Sequence, residues 1–442
     1  MTQSTRDRAV DVIRPAALLV VMFGHCALLL ATIDSGGVRI ANLIGEVPAV
    51  APATWVVQVM PLFFLAGGAA GVHSYRPGTP WGAWLFRRAQ RLCRPVFWYL
   101  AVWAAVLAAA RVVLGADSAV RLGGESVALL WFLGVYLVAL AFVPALVRLR
   151  SGCAVAVVLA ALVVVAASTD ALRFATGDAA AGLTNFVIVW LIPVVIGVGY
   201  AQRLIGRRAA AVGAAAAFTA AWALVVFGPY EVSLVVTGAE RISNVSPPTL
   251  LLAMHCVWMS CVFVVAAAAI GRWARRPRVW RVVAAGNAGA MTLYLWHIVA
   301  IAIAAFGLHA VGLQAYDVAA PDLWAQLLVR ALVFAVVMLV LFRLLSPLER
   351  RPLPWWDEAV TESGPRAIGA GALVCAAGVA LVLTAKFGLG ESAGWAACAG
   401  FVAAVVAARI CARVAPRDLG PDVRSPSESP ENENLEHIAP NS

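Results

Sequence analysis

Residues 13–25 read IRPAALLVVMFGH, an arginine followed after ten uncharged residues by a histidine. The uncharged run belongs to a longer apolar stretch, and about 17 to 25 such residues cross a bilayer as one helix. A histidine inside hydrocarbon is costly and usually serves a pathway or a reaction. The stretch therefore predicts a membrane helix that carries a functional side chain.

The composition of the whole chain supports a membrane protein. Of its 442 residues 62% are apolar and only 13% are charged, which is more apolar surface than a water-soluble core would hide. Apolar runs predict spans near residues 12–33, 50–72, 96–115, 126–147, 152–168, 183–202, 209–228, 248–270, 282–308, 323–345, 367–385 and 393–412. We therefore expect an all-α, polytopic integral membrane protein.

The basic residues indicate the orientation of these spans. The formal net charge is +10, but Arg and Lys concentrate in the cytoplasmic loops of polytopic proteins, so the excess predicts no nucleic-acid partner. Arg330 falls inside a span. The loops on the predicted outer side contain few basic residues: Arg39, Arg111, Arg121, Arg173, Arg241 and Lys386. We expect both termini in the cytoplasm and the first span to be retained as the membrane-targeting segment.

Cysteines and the C-terminal composition set two further expectations. The eight cysteines form no C-x-x-C pair and fall mostly within spans, which indicates neither a disulfide framework nor a metal site. After about residue 414 the chain turns to Pro, Ser, Glu and Asn, too polar to bury, so residues 415–442 are expected to form a disordered cytoplasmic tail.

Polar side chains share one face of the first predicted helix. An offset of eleven residues is close to three helical turns, so Arg14 and His25 point to nearly the same side, about 16 Å apart along the axis. Asp11 lies one turn before Arg14 and is placed to pair with it. Pro15 fits this helix only if the helix begins close to it. Topology alone would explain Arg14, whereas Arg14 and His25 together indicate a common cavity.

These residues resemble the bacterial membrane acyltransferase-3 family, whose first span carries Asp-x-x-Arg, ten residues and His. Similar motifs follow in the family's order: VMPLFFLAGGAAG (59–71), FRRAQRLCRPVFWY (86–99) on the next inner loop, WFL (131–133), TLYLWH (292–297) and LSPLERRP (345–352). The outer segment SNVSPPTL (243–250) resembles a loop of a subset of its members. One position departs, because the family's Ser-Gly is Ala66-Gly67 here. The resemblance covers about residues 8–355, and implies a membrane acyltransferase core at 1–355 followed by two additional transmembrane helices at 356–414.

The resemblance implies an O-acyltransferase in a bacterial plasma membrane. It would transfer an acyl group, commonly acetyl, from acyl-CoA as co-substrate to a hydroxyl of a sugar, glycan precursor or glycosylated metabolite, with no bound cofactor. His25 would be the general base, because a neutral imidazole suits proton removal near ambient pH. Arg14, held by Asp11, would position the donor or the base and offset negative charge. No serine nucleophile elbow is present, which favours direct transfer.

Residues in these motifs have alternative interpretations. The residues predicted to bind substrate are Phe63, Phe64, Arg88, Arg91, Tyr294 and His297. The phenylalanines could instead be core, the arginines could serve topology, and the last two could be structural. Gly67, Gly68 and Gly71 favour close helix packing. A transporter or flippase for a glycan or lipid-linked substrate is the competing function, although we find no internal repeat of the kind that such folds contain.

Overall fold

The structure is a computed structural model that describes residues 7–34, 37–113, 115–238, 240–313, 315–360 and 363–413. The predicted disordered tail at 415–442 lies outside the described residues. Within them, twelve helical segments are long and apolar enough to cross a membrane. The predicted all-α, multi-span architecture is confirmed.

The described residues form eighteen helices, of which several are single turns. In order they are α1 (Arg8–Leu28), α2 (Leu43–Glu46), α3 (Thr54–Val57), α4 (Met60–Ser74), α5 (Trp81–Val113), α6 (Ala116–Val127), α7 (Leu130–Leu140), α8 (Val143–Leu146), α9 (Gly152–Thr176), α10 (Asn185–Ala201), α11 (Arg207–Phe227), α12 (Leu250–Trp273), α13 (Pro277–Ala288), α14 (Ala290–His309), α15 (Leu323–Arg350), α16 (Pro354–Asp357), α17 (Gly364–Phe387) and α18 (Ser392–Cys411). Single 3₁₀ segments, Pro48–Ala53 and Ala179–Gly182, precede α3 and α10.

The first loop folds into a hairpin that the sequence did not predict. The helix α1 ends at Leu28, and β1 (Leu29–Asp34) pairs antiparallel with β2 (Gly37–Asn42). The predicted first span, 12–33, therefore extended too far, because extended, partly β-branched segments such as that around Thr32 and Ile40 favour a strand even when they are apolar. The helix instead begins earlier, at Arg8.

Pro15 lies inside α1, about two turns after its start, so the expectation that the helix begins close to this proline is wrong. A proline leaves the carbonyl oxygen four residues earlier, that of Asp11, without its helical N–H partner. Asn287 on α13 replaces that partner, because its Nδ2 donates to the Asp11 carbonyl oxygen over 2.7 Å. The approach needs a glycine: a Cβ at Gly286 would lie 2.9 Å from the Pro15 Cβ.

Small residues bring α4 and α10 into close contact. A Cβ at Gly68 would lie 2.4 Å from the carbonyl oxygen of Val194, and a Cβ at Gly197 would lie 2.1 Å from that of Leu65. A Cβ at Gly71 would lie 2.7 Å from a side-chain carbon of Val143 on α8. In lipid, where apolar surface alone does not drive helices together, such close backbone approach supplies much of the association. The packing role predicted for the glycines of α4 is therefore observed.

The additional helices pack tightly on the rest of the protein. On facing helices, a Cβ at Gly134 of α7 would lie 2.3 Å from the carbonyl oxygen of Gly378 of α17, and a Cβ at Gly378 would lie 2.7 Å from that of Gly134. Gly82 on α5 meets the carbonyl oxygen of Ala367 on α17 similarly. The division at residue 355 stays a prediction, but α17 joins its two sides.

The helices differ in what they face. Most of α10 and α12 is buried, whereas α9, α11 and α15 expose large apolar side chains such as Val157, Phe218 and Leu332. Exposed apolar faces of this kind are those that a bilayer covers. The helices α1, α4, α10, α12 and α14 therefore form an interior in which polar side chains are shielded from lipid.

Candidate active site

Histidines from α1 and α14 meet inside the bundle. Nδ1 of His25 lies 3.0 Å from Nε2 of His297, and the two ring planes are within 5° of parallel. His297 is 0% exposed, whereas His25 is partly exposed. Their separate positions were singled out from the sequence, but their direct contact was not predicted.

The hydrogen-bond partners determine which ring nitrogens carry protons when both rings are neutral. Nδ1 of His297 lies 2.6 Å from the carbonyl oxygen of Tyr294. Because a carbonyl oxygen only accepts, this nitrogen carries the proton, and Nε2 of His297 accepts from the Nδ1–H of His25. Nε2 of His25 then keeps its lone pair and has no hydrogen-bond partner among the described residues. The pair thus presents an unprotonated nitrogen on its more accessible ring.

Arg14 is held near the other end of the same helix face. Its Nη1 lies 3.5 Å from Oδ1 of Asp11, which confirms the predicted pair. Its Nη2 donates to the carbonyl oxygen of Ala66 on α4 over 3.1 Å. Since this contact uses the main chain, it does not need the serine hydroxyl that the family carries at this position. Arg14 thereby ties α1 to α4.

The phenylalanines predicted to bind substrate belong to a packed aromatic cluster. Phe64 is fully buried and stacks on Trp190 with ring centroids 4.8 Å apart. Phe63 meets Phe132 edge to face at 5.5 Å. Tyr294 also contacts the cluster, and its hydroxyl donates over 2.5 Å to the main-chain carbonyl just before α7. These contacts favour packing for all three predicted residues, and substrate binding by them stays a prediction.

The arginine-rich stretch expected on an inner loop lies instead within α5, so the loop placement is wrong. Its Arg, Ala, Gln and Leu residues are strong helix formers, which favours continuation of the helix through this stretch. Arg88 donates to the Ala70 carbonyl oxygen over 3.3 Å, contacts the Ser74 hydroxyl and lies 5.4 Å from the Trp84 ring centroid. Arg91 is exposed. Arg88 therefore joins α5 to α4, and substrate binding by either arginine stays a prediction.

A buried carboxylate that the sequence did not reveal lies beside α14, the helix that carries His297. Glu349, at the end of α15, accepts hydrogen bonds from the Thr292 hydroxyl over 2.5 Å and from the Trp296 indole N–H over 2.7 Å. It is 7% exposed. It lies in the motif LSPLERRP, and the sequence feature that could have identified it is an acidic residue next to an apolar run. The predicted span ended at residue 345, which placed Glu349 in a loop, whereas the helix continues for another turn.

Arg330, which the sequence places inside a span, has a main-chain partner in the structure. Its Nη2 donates to the carbonyl oxygen of Cys26 over 2.5 Å. Cys26 follows His25 near the end of α1, where the last carbonyl groups of a helix lack N–H partners. Arg330 therefore fixes to α15 the end of α1 that carries His25.

The helical bundle and its buried histidine pair describe a membrane-embedded enzyme, and comparison with known families agrees. A family model of an acyltransferase domain matches residues 7–344. The chain belongs to the acyltransferase-3 family and is an acyltransferase of the membrane. This finding decides against the transporter or flippase alternative. No curated protein and no solved structure matched the chain.

Proposed function

We propose that the protein transfers an acyl group, acetyl in the simplest case, from acyl-CoA to a hydroxyl of a carbohydrate or glycosylated acceptor, with His25 as general base. The observation that carries this proposal is the contact between His25 and His297, which leaves Nε2 of His25 unprotonated. A hydroxyl is a poor nucleophile near neutral pH, and a neutral imidazole is suited to remove its proton. The resemblance supports the classes of donor and acceptor.

The proton and the acyl group move in one sequence. Nε2 of His25 takes the hydroxyl proton while the acceptor oxygen bonds to the thioester carbonyl carbon. The tetrahedral intermediate then expels the coenzyme A sulfur, which leaves with the proton from His25. The Nδ1–H bond to His297 keeps the His25 ring in the required tautomer and strengthens when that ring becomes positively charged.

Arg14 serves the donor rather than the reacting carbonyl in this proposal. Arg14 and His25 are about 16 Å apart along α1, and the guanidinium is held by Asp11 and the Ala66 carbonyl oxygen. An arginine so placed can orient part of the donor that is remote from the thioester. Asp11 then has a positioning role, because it fixes the guanidinium.

The family resemblance supports a bacterial plasma-membrane protein, and the distribution of arginines supports both termini in the cytoplasm, where coenzyme A is found. The donor would then reach Arg14 from the cytoplasmic side. The acceptor would meet the thioester at His25, deeper in the bundle.

Mass spectrometry tests the proposal directly. Envelope glycans and secreted metabolites are compared between cells with and without the protein, and we expect some of them to differ by the mass of one acyl group. His25→Ala should remove this difference at unchanged protein level. His73→Ala is the matched control, because His73 is exposed and its Nδ1 bonds only to the Ala69 carbonyl oxygen of its own helix. Acylation that persists in the His25 variant would refute the general base.

A further inference from the structure

A large cavity opens where α1 begins, at a distance from the histidine pair. Its volume is about 910 Å³, within the range of roughly 300 to 1,000 Å³ that small-molecule sites occupy. The ends of α10 and α12 complete it. Its lining residues are Arg8, Tyr200, Arg203, Ala268, Gly271, Arg272 and Arg275.

The charge of this cavity is strongly positive. Arg8 donates to the Ala274 carbonyl oxygen over 3.4 Å, and its guanidinium lies 5.0 Å from the Trp280 ring centroid; neither contact neutralises its charge. Within the part of the chain that the structure describes, Arg203, Arg272 and Arg275 make no side-chain hydrogen bond or ion pair. All four arginines are exposed, so water solvates each of them, and their converging charges give the cavity a positive potential that attracts anions.

The carboxylate of Asp7 lies beside the cavity, but both of its oxygens already accept hydrogen bonds. Oδ1 of Asp7 accepts the Ala9 N–H over 2.9 Å and caps α1. Oδ2 of Asp7 accepts the Tyr200 hydroxyl over 2.8 Å. Asp7 therefore lowers the positive charge of the region without occupying the space between the arginines.

Arg203 stands at a backbone position that favours glycine. Its φ is 60°, and it is the non-glycine residue with positive φ among the described residues. The N–H of Leu204 bonds back to the carbonyl oxygen of Gly199, so Arg203 occupies the left-handed turn that ends α10, where glycine is the usual residue. An L-residue with a side chain costs about 1 kcal/mol there relative to glycine. This backbone cost singles out the Arg203 side chain, which lines the cavity, as a candidate for a binding role.

We propose that this cavity binds the phosphate groups of the acyl-CoA donor, an inference that rests on the proposed function. Guanidinium groups bind phosphate through paired hydrogen bonds, and several converge here. Coenzyme A carries its phosphates and its thioester at opposite ends of the long pantetheine arm, so its phosphate site must lie away from the base. Arg8 and His25 are on one helix, about 26 Å apart along its axis. An anionic lipid headgroup has the same phosphate chemistry and is distinguished by experiment.

The first experiment measures binding of coenzyme A itself to the full-length protein in neutral detergent by isothermal titration calorimetry. The variant Arg272→Ala/Arg275→Ala should weaken binding about tenfold to a hundredfold, because charge-assisted hydrogen bonds are lost. The matched control is Arg207→Ala/Arg208→Ala, which removes two exposed arginines from the start of α11 outside the cavity. Raising the salt concentration should weaken binding to the wild type and to the control more than binding to the cavity variant.

A second variant guards against a folding defect. Arg203→Gly removes a guanidinium from the cavity and places glycine at the left-handed position, so the thermal unfolding temperature should be equal to or above that of the wild type. Coenzyme A should nevertheless bind several-fold more weakly. A stable Arg203→Gly protein with wild-type affinity, or equal affinities in the cavity and control double variants, would overturn the proposal.

Further experiments distinguish coenzyme A from an anionic lipid as the ligand of the cavity, and distinguish binding at the cavity from catalysis at the histidine pair. Phosphatidylglycerol vesicles that protect the wild type against thermal unfolding, with coenzyme A failing to bind, would assign the cavity to a headgroup and refute the donor site. His25→Ala should bind coenzyme A like the wild type. Binding at the cavity without any acyl transfer by the wild type would refute the proposed function alone, whereas transfer with an unaltered KM for acyl-CoA in the cavity variant would refute this site alone.

Discussion

His297 should affect turnover only by holding His25. The 3.0 Å bond between the rings joins two neutral groups before transfer and a charged ring to a neutral one during it, and this change strengthens such a bond by about 1 kcal/mol. His297→Ala should therefore lower kcat by roughly two- to tenfold. His25→Ala removes the base itself and should lower kcat by about 10² to 10⁴.

The variant His297→Gln provides the control for this difference. Its side-chain carbonyl oxygen can still accept the Nδ1–H of His25, so kcat should stay close to the wild-type value. The assay is transfer of radiolabelled acetyl groups at saturating acetyl-CoA, with purified proteins matched by size-exclusion profile and thermal unfolding temperature. An alanine variant and a glutamine variant of equal activity would refute the hydrogen-bond argument.

The double variant His25→Ala/His297→Ala gives the sharpest result. If His297 acts through His25 alone, the double variant retains the residual activity of His25→Ala, because residues that act as one unit are not additive. A further loss would mean that His297 contacts the substrate itself. A single His297→Ala variant as impaired as His25→Ala would mean that the base has been assigned to the wrong ring.

Other substitutions test the supports of the site. Arg14→Lys should raise the KM for acyl-CoA about tenfold because an ammonium lacks the planar fork that reaches two acceptors, and unchanged donor kinetics would contradict this role. Gly378→Leu should lower the free energy of unfolding by about 1 to 3 kcal/mol through overpacking, measured by chemical denaturation against Gly400→Leu, where a Cβ meets no atom within 4 Å. Asn287→Ala should cost about 1 to 3 kcal/mol by leaving a carbonyl unsatisfied, but much less in a Pro15→Ala background that restores the N–H; equal costs in both would refute the pairing.

The spans could be predicted because each depends on its own composition. A lipid-embedded segment must satisfy its backbone hydrogen bonds internally, so a long apolar run forms a helix whatever its neighbours are. The start of α1 was mispredicted for the opposite reason. A proline normally disfavours a helix interior because it leaves one carbonyl oxygen without a partner. Here Asn287 supplies that partner to the Asp11 carbonyl oxygen from 276 positions away in the chain, and no local pattern reveals it.

The candidate site divides in the same way. Asp11, Arg14 and His25 lie on one helix, so the helical repeat was enough to place them on one face. The contact between His25 and His297 depends on how α1 crosses α14, 272 residues later in the chain. In the sequence, Arg203 is only one more basic residue between two predicted spans. Its left-handed backbone, which marks it as unusual, exists only in the fold.

The attachments of α1 connect the cavity to the histidine pair. Asn287 and Arg14 form side-chain to main-chain hydrogen bonds in the first third of this helix, and Arg330 forms one near its end. A main-chain partner remains when the residue that carries it is substituted, so these bonds fix the helix without specifying its neighbours' side chains. A helix held at several heights keeps Arg8 and His25 at a separation determined by its rise of about 1.5 Å per residue. A donor that binds through its phosphates at one end must then extend along α1 to present its thioester at the other, which favours long acyl-CoA carriers over small activated acyl phosphates.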